Sequence, residues 1–291
     1  MGWIKKMVWI QAARIRTLPA AIAPVLIGCS LAFGDDQFHF LSAMCAMFGA
    51  IFIQLGTNFA NDYFDFVKGV DNEDRIGPKR ATQAGLVSPD HMKKAFIIMF
   101  SMIIPFVLYL AYRGGWELII LGIISIISGI LYTGGPKPLG YIGLGDIFVL
   151  IFFGPIAVVG TYYVQSLHIE THAIWSGIAS GMISTAILVV NNLRDHTEDA
   201  KVGKNTLVVQ FGPTFGRIEY TFCLSIAMCI TIWQAQTHIY LYLALLPFLF
   251  AISPLQSMWT EEGRDLDKNL GATARILILF SIMYSLGYNI T

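Results

Sequence analysis

Two short clusters of carboxylate and amide side chains have the residue types and the spacing of a metal-binding site. Each cluster places an amide four residues before a carboxylate, and residues four apart share one face of a helix, with Cβ atoms about 5–6 Å apart. Carboxylate and amide oxygens suit a hard cation, and magnesium usually takes one or two carboxylates together with phosphate oxygens of a substrate. We therefore predict Mg²⁺ ligands at Asn61 and Asp65 in the first cluster, and at Asn191, Asp195 and Asp199 in the second.

A solvated, charged helix end is the simpler interpretation of either cluster. Stacked carboxylates such as Asp195 and Asp199 repel each other, however, so their spacing favours a cation beside them. The pattern also occurs twice, each time where a long apolar segment ends. These two features favour a metal site over a surface cluster.

Basic residues accompany both clusters and suit a bound polyanion. Part of this charge is expected on the cytoplasmic loops of any membrane protein, and the remainder fits a diphosphate held beside the metal. The sequence has no GxxxxGK[ST] motif, which argues against a P-loop nucleotide triphosphatase. The predicted diphosphate-binding residues are Lys68, Arg75, Lys79, Arg80 and Lys204.

The composition excludes a disordered chain and an ordinary soluble domain. Of the 291 residues, 55% are hydrophobic and 13% are charged, whereas about 25% are charged in an average soluble domain. Nine apolar segments reach or approach the roughly 20 residues that a membrane-spanning helix needs, and they lack the alternation of a β-barrel. These segments are about 17–34, 38–60, 94–112, 116–134, 141–164, 172–192, 218–236, 240–259 and 273–289.

Lysine and arginine residues indicate how these helices cross the bilayer. With nine spans the connections fall into two sets, and one set holds all of the 19 basic residues except Arg113. Because cytoplasmic loops carry the excess of Lys and Arg, this set and the N-terminus are predicted to face the cytoplasm. We thus expect an all-α, polytopic membrane protein, with nine transmembrane helices around a central cavity and a single domain over residues 1–291.

A metal site at a membrane surface, above an apolar cavity, suits a substrate with a charged head and a long apolar tail. An isoprenoid diphosphate has this form. The expected partners are therefore such a diphosphate and the lipid bilayer, with no nucleic acid.

The acidic motifs and several further segments resemble those of the UbiA superfamily of membrane prenyltransferases. The aspartate-rich motifs of that superfamily, NDxxDxxxD and DxxxD, match Asn61-Asp62-x-x-Asp65 and Asp195-x-x-x-Asp199. The resemblance covers nearly the whole chain and is strongest to the branch of the superfamily that prenylates 1,4-dihydroxy-2-naphthoate. The matching segments are 54–65, 77–85, 132–136, 143–146, 160–163 and 191–195.

The resemblance implies a helical bundle in which two magnesium ions bridge the diphosphate. It implies Mg²⁺-dependent transfer of a polyprenyl chain from polyprenyl diphosphate to 1,4-dihydroxy-2-naphthoate, with loss of carbon dioxide, to give demethylmenaquinol. Another aromatic acceptor of the superfamily, such as 4-hydroxybenzoate, is the alternative. The implied location is the inner membrane of a bacterial-type cell, with the active site facing the cytoplasm.

Four further residues receive predicted roles at this site. Asp62 and Tyr132 are predicted to be catalytic, because Asp62 lies beside the first ligand pair and the ring of Tyr132 could face an allylic cation. An interfacial belt tyrosine is the alternative for Tyr132. Asn58 and Lys137 are predicted to bind the acceptor, Lys137 by pairing with its carboxylate.

The first motif departs from the superfamily pattern at its third acid, which should fall at position 69. That position is Gly69, and the nearest acid is Asp71. Asp71 is predicted as a further Mg²⁺ ligand, which requires the helix to end before it. The Lys68-Gly69 pair makes such an ending plausible.

Two other functions also use acidic residues in a membrane protein. A secondary transporter binds its coupling cation near the bilayer midplane on broken helices, whereas these acids lie at cytoplasmic helix ends. A membrane-embedded phosphatase would hydrolyse the diphosphate without transferring the prenyl group. The positions of the acids and the resemblance favour the prenyltransferase.

Overall fold

The chain folds into helices joined by short turns. The computed structural model describes residues 2–70 and 77–290, and these two ranges contain no β-strand. The all-α prediction is thus confirmed. The α-helices in chain order are α1 Gly2–Ala13, α2 Leu18–Gly34, α3 Phe40–Val67, α4 Pro89–Ser101, α5 Ile104–Gly114, α6 Glu117–Leu131, α7 Gly145–Ile151, α8 Ala157–Ser166, α9 Thr171–Lys201, α10 Leu207–Phe211, α11 Pro213–Gln234, α12 Ile252–Thr260 and α13 Asp267–Asn289.

Several α-helices are joined by short helical turns of other types into longer, continuous elements. A π-helical segment connects α7 to α8, and a 3₁₀-helix precedes α12. Three further 3₁₀-helices lie on the side of the acidic clusters. The bounds of these segments are Ile15–Thr17, Leu139–Tyr141, Phe152–Ile156, Ile239–Ala251 and Gly263–Leu266.

Within the described ranges, eight helical stretches are long and apolar enough to cross a bilayer. The fourth predicted segment forms the shorter helix α6 of 15 residues, which is about 22 Å long at 1.5 Å per residue. A hydrocarbon core of about 30 Å exceeds this length. The structure therefore supports eight spans, and the ninth stays a prediction. The eight stretches are Val8–Gly34, Phe40–Val67, Pro89–Gly114, Gly145–Ser166, Thr171–Lys201, Pro213–Gln234, Ile239–Thr260 and Gly263–Asn289.

Helix α9 lies at the centre of the bundle and is buried along most of its length. Small residues let its neighbours approach closely, as is common between helices in a membrane. A Cβ added at Gly154 would lie 2.7 Å from the carbonyl oxygen of Gly177. The backbone of Gly154 also departs from helical geometry, so the chain bends between α7 and α8 around α9.

Helices α3 and α9 extend beyond the apolar segments that predict them. The predicted ends near residues 60 and 192 lie inside the helices, which continue to Val67 and Lys201. Both acidic clusters are therefore helical, and residues four apart in each cluster share a face. This extension places the two sets of oxygen ligands at two helix ends on one side of the bundle.

Candidate active site

The two acidic clusters open onto one chamber with a volume of about 540 Å³, which is in the usual range of ligand pockets. Helix α3 contributes Asn61, Asp62 and Asp65 to its wall, and helix α9 contributes Asn191 and Asp195. The structure thus brings together residues that are more than a hundred positions apart in sequence. The chamber is completed by residues of the N-terminal segment, the loop before α4, the loop after α6, and α13, among them Gln11, Arg14, Arg16, Lys79, Arg80, Tyr132, Thr133, Tyr141, Asn192, Arg194, Lys204 and Asp267.

The two acidic helices end in the same way. After α3, Gly69 adopts a φ of 68°, and the N–H of Val70 donates to the carbonyl oxygen of Asp65 at 3.0 Å. After α9, Gly203 adopts a φ of 73°, and the N–H of Lys204 donates to the carbonyl oxygen of Asp199 at 2.8 Å. Both are Schellman endings, in which a left-handed glycine stops the helix. The repeated sequence pattern therefore corresponds to a repeated local structure.

The ligand residues of the first cluster are held by hydroxyl groups from the loop after α6. The Thr133 hydroxyl donates to Asn61 Oδ1 at 2.8 Å, and the Tyr141 hydroxyl donates to Asp65 Oδ1 at 2.5 Å. The other carboxylate oxygen of Asp65, Oδ2, lies 3.6 Å from Arg80 Nη2. These contacts fix the orientation of both side chains at the chamber wall.

The carboxylates of the second cluster are paired with basic residues. Asp195 accepts two hydrogen bonds of 2.7 Å from the guanidinium of Arg194, which also donates to Asp267 at 2.8 Å. Asp199 lies 3.0 Å from Lys204 Nζ. The chamber wall includes Asp195 and Lys204 but not Asp199, so Asp199 acts at the wall through Lys204.

Asp62 holds the loop that follows the first cluster. It is 1% exposed, and its two carboxylate oxygens accept the backbone N–H groups of Ala81 and Thr82, each at 3.1 Å. A buried carboxylate whose two oxygens both hold backbone groups is suited to fixing a loop. Asp62 thus helps to position Arg80, which precedes these two residues, and it also lines the chamber. Its predicted catalytic role stays a prediction.

The predicted diphosphate-binding residues divide into two groups. Lys79, Arg80 and Lys204 line the chamber. Lys68 points instead to the loop after α6, where its ammonium donates to the carbonyl oxygens of Thr133 at 2.6 Å and Gly135 at 3.0 Å. In this geometry Lys68 holds the loop that lines the chamber, and its predicted diphosphate contact stays a prediction. Two further predicted residues, Asp71 and Arg75, lie outside the described residues.

The two lysines beside the clusters differ in their electrostatic surroundings. Burial lowers the pKa of Lys68, and the nearby Asp65 carboxylate only partly offsets this effect. Burial also disfavours the charged form of Lys204, but the carboxylates of Asp199, Asp65 and Asp195 outweigh it and raise the pKa of that lysine. Lys204 therefore remains a cation at the chamber wall throughout the neutral and mildly alkaline range.

The structure places the predicted acceptor-binding residues outside the chamber wall. The Asn58 amide donates to the Ala13 carbonyl oxygen at 2.9 Å and to Thr17 Oγ1 at 3.1 Å. Asn58 thus anchors the N-terminal segment, and its predicted binding of the acceptor stays a prediction. Lys137 is exposed on the loop after α6. Tyr132, predicted to be catalytic, does line the chamber.

Sequence reasoning missed the N-terminal segment and Tyr141 as parts of the chamber wall. Arg14 adopts a left-handed backbone with a φ of 49°, and Arg16 Nη1 lies 3.2 Å from Asp267 Oδ2. The signal for these arginines was their position just before the first apolar segment, where the positive-inside bias also accounts for them. No sequence pattern connects Tyr141 to Asp65, because their contact joins different segments.

The donor set fits magnesium if a substrate supplies the remaining oxygens. Within the described residues, no three Asp, Glu, His or Cys side chains converge into a group that could hold a metal ion. Asp65 and Asp195 instead present single carboxylates, with Asn61 and Asn191 beside them, at one shared chamber. Magnesium sites of this kind use one or two carboxylates and complete their coordination with phosphate oxygens.

A second, apolar cavity of about 170 Å³ lies further inside the bundle. Along α3 it begins at Ile53 and extends to Cys45. The eight residues from Ile53 to Asn61 correspond to about 12 Å along the helix axis. The wall of this cavity is formed by residues of α2, α3, α5, α6, the π-helical segment and α8, which include Val25, Phe106, Leu121, Phe152 and Val164.

Comparison with known proteins agrees with this architecture. The family model described as the UbiA prenyltransferase family matches residues 21–282. The chain is 38% identical to a 1,4-dihydroxy-2-naphthoate octaprenyltransferase of Haemophilus influenzae, covering 97% of this chain and 96% of that protein. It is 43% identical to the protein of the same name in Escherichia coli, covering 74% of this chain and 72% of that protein.

Among solved structures, the fold is similar to that of a UbiA homolog from Archaeoglobus fulgidus bound to GPP and Mg²⁺. The two share 14% sequence identity with a TM-score of 0.71, covering 97% of this chain and 99% of that chain. At this identity the likeness concerns the fold. The family match over most of the chain, and the relatives above 30% identity, identify the chain as a member of the UbiA prenyltransferase family.

Proposed function

We propose that this protein transfers a polyprenyl chain from polyprenyl diphosphate to 1,4-dihydroxy-2-naphthoate, with loss of carbon dioxide, to give demethylmenaquinol. One observation carries the proposal: the two acidic helix ends open onto one chamber of about 540 Å³ whose wall also carries basic side chains. The relatives named 1,4-dihydroxy-2-naphthoate octaprenyltransferase support the choice of acceptor and of a long prenyl donor.

The basic residues of the chamber bind the diphosphate. Lys79 and Arg80 line the chamber from the loop before α4, Lys204 from the turn after α9, and Arg14 from the N-terminal segment. Charge-assisted hydrogen bonds from such groups are roughly twice as strong as neutral ones. They also stabilise the charge that develops when the diphosphate departs, which is how they lower the barrier to ionisation.

Asn61 and Asp65 on one side, and Asn191 and Asp195 on the other, would hold two Mg²⁺ ions, which would supply Lewis-acid stabilisation of the diphosphate. The support for magnesium is the oxygen donor set and the family membership of the chain. Asp199, also predicted as a Mg²⁺ ligand, lies 3.0 Å from Lys204 Nζ and orients that lysine. The predicted ligand Asp71 lies outside the described residues.

The prenyl group then bonds to the ring of the acceptor. The allylic C–O bond breaks with its electron pair on the diphosphate, a ring carbon forms the new C–C bond, and the acceptor carboxylate leaves as carbon dioxide. Tyr132 lies at the chamber wall, where its ring can stabilise a cation. The apolar cavity accommodates the first part of the tail and keeps water from the reacting carbon.

The chain acts as one membrane domain with its chamber open to the cytoplasm. The clustering of basic residues at the chamber end of the helices supports this orientation. With the apolar helix α6 counted as a ninth span, the N-terminus and the C-terminus face opposite sides. Relatives in bacteria support a location in the inner membrane.

The proposal is tested with purified protein in detergent, polyprenyl diphosphate, 1,4-dihydroxy-2-naphthoate and Mg²⁺, with product analysis by mass spectrometry. We expect a prenylated, decarboxylated naphthoquinol whose formation stops when EDTA removes the metal. Transfer to 4-hydroxybenzoate but not to the naphthoate would contradict the proposed acceptor. Hydrolysis of the diphosphate without transfer would contradict the proposed reaction.

A further inference from the structure

We infer that Tyr141 is a positioning residue that orients Asp65 for metal binding and holds the two acidic helix ends at a fixed separation. This inference rests on the proposed function, because it concerns how that site binds its metal and diphosphate. Tyr141 ends the 3₁₀-helix Leu139–Tyr141 in the loop after α6, outside both acidic motifs. Its side chain is buried, yet it forms part of the chamber wall.

The hydroxyl group of Tyr141 holds one carboxylate oxygen of Asp65, and Arg80 lies beside the other. The hydroxyl donates to Asp65 Oδ1 at 2.5 Å, while Oδ2 lies 3.6 Å from Arg80 Nη2 on the chamber wall. A ligand carboxylate that accepts such a hydrogen bond is held in one orientation. Residues that orient a metal ligand in this way typically contribute 10–100-fold to metal affinity, even though they do not touch the metal.

The backbone and the ring of Tyr141 reach the second acidic helix end. Asn205, just after the Schellman ending of α9, donates its backbone N–H to the Tyr141 carbonyl oxygen at 2.9 Å. The ammonium of Lys204 lies 6.0 Å from the centroid of the Tyr141 ring, and that of Lys68 lies 5.1 Å from it. These distances allow cation–π attraction from both lysines.

Tyr141 therefore contacts both structural repeats of the site. Its side chain fixes Asp65 at the end of α3, and its backbone fixes the turn that ends α9. A bridging diphosphate requires the two helix ends to remain within reach of the same ions. Because Tyr141 joins the two helix ends before the ligand binds, they lose less conformational freedom on binding.

The test is the Tyr141→Phe variant, which keeps the ring and removes the hydroxyl. The Mg²⁺ concentration that gives half of the rise in unfolding temperature is measured with inorganic pyrophosphate as the ligand probe. We expect this concentration to increase about tenfold or more. The concentration of Mg²⁺ that half-saturates turnover should increase in parallel, while kcat at saturating Mg²⁺ changes much less.

The matched control is Tyr163→Phe, which removes a hydroxyl that donates to the Gly114 carbonyl oxygen at 2.7 Å, away from the chamber. We expect its Mg²⁺ dependence to equal that of the wild type. A double-mutant cycle with Asp65→Asn then separates positioning from a general loss of structure. If Tyr141 acts through Asp65, Tyr141→Phe has no further effect on Mg²⁺ dependence in the Asp65→Asn background.

An unchanged Mg²⁺ dependence in Tyr141→Phe would overturn the inference, and so would an equal change with and without Asp65→Asn. Tyr141→His keeps a ring and a hydrogen-bond donor. It is measured in the same cycle and replaces Tyr141→Phe if that variant does not fold. The pyrophosphate readout needs no turnover. Wild-type protein that binds Mg²⁺ and pyrophosphate but forms no prenylated naphthoquinol would contradict the proposed function and leave the inference on Tyr141 standing.

Discussion

The two ends of the helical bundle each hold a carboxylate in hydrogen bonds from tyrosine, but they use it differently. At the end opposite the chamber, Asp35 accepts hydrogen bonds from the hydroxyls of Tyr162 at 2.7 Å and Tyr288 at 2.8 Å. His172 Nε2 lies 3.2 Å from the same carboxylate. These groups come from four different helices or helix ends, so their contacts tie α2, α8, α9 and α13 together.

At the chamber end, Asp65 accepts one tyrosine hydroxyl, its other oxygen lies 3.6 Å from Arg80 Nη2, and the residue forms part of the chamber wall. Asp195 and Asn191 face the same cavity from a second helix. The comparison teaches that a hydrogen-bonded carboxylate in this bundle has two uses. Asp35 lies outside the chamber wall and joins helices, whereas Asp65 and Asp195 lie in that wall, where a bound ligand can reach them.

The largest effect is expected from the chamber carboxylates. Asp65→Ala and Asp195→Ala should each lower kcat/KM by about 100-fold or more, because each removes a charged group that holds the metal and diphosphate. Steady-state kinetics measure the loss. The control is Asp90→Ala, an exposed carboxylate at the start of α4 that does not line the chamber. Equal activity of Asp65→Ala and Asp90→Ala would contradict the assignment of the chamber as the active site.

A smaller effect is expected from Arg80, which binds the diphosphate beside Asp65. Arg80→Ala removes a charge-assisted contact of about 1.5–3 kcal/mol, which corresponds to roughly a 10–100-fold increase in KM for polyprenyl diphosphate. Titration of the donor at saturating acceptor measures KM. Lys93→Ala, on the exposed face of α4, is the matched control and should leave KM unchanged. An increase confined to the KM of the acceptor would contradict the proposed contact.

Changes at the opposite end should affect stability without affecting catalysis. Asp35→Ala removes the acceptor of two tyrosine hydroxyls and should lower the free energy of unfolding by about 1–3 kcal/mol. Because Asp35 lies far from the chamber along α2, kcat/KM of the folded protein should stay within about twofold of the wild type. Denaturant unfolding in detergent measures the free energy of unfolding, and steady-state kinetics measure kcat/KM. A large fall in kcat/KM with unchanged stability would contradict the assignment of Asp35 to the stability of the fold.

The smallest effect is expected from Lys137. The side chain is exposed and does not line the chamber, so Lys137→Ala should change KM for the acceptor by less than about twofold, as is usual for surface substitutions. Acceptor titration provides the measurement. A large increase in that KM would restore the role that the sequence predicted for Lys137.

The sequence was sufficient to predict features that depend on contacts within one helix. The i, i+4 spacing of Asn61 and Asp65, and of Asn191 and Asp195, predicted which side chains share a helical face, and both pairs lie on the wall of one chamber. The apolar segments predicted the helices, except that the fourth is shorter than expected. Its predicted end near residue 134 is a turn, in which Gly135 adopts a φ of 77°.

Contacts between different segments were not predictable in this way. The two oxygens of Asp62 hold a loop whose path is set by tertiary packing, so sequence spacing alone suggested a role in catalysis. Asn58 faces the N-terminal segment for the same reason. Tyr141 lies in a short loop helix with no periodicity to indicate its partner. The roles of such residues become recognisable only when the positions of the loops that contact them are known.

The most direct test of the central claim is the location of the metal. A crystal structure with Mn²⁺ in place of Mg²⁺, and with a prenyl thiolodiphosphate that resists ionisation, would locate the ions by their anomalous scattering. We predict peaks between Asp65 on α3 and Asp195 on α9, with the diphosphate between the two helix ends. Ions bound away from this chamber, or a diphosphate that contacts one helix end only, would contradict the account.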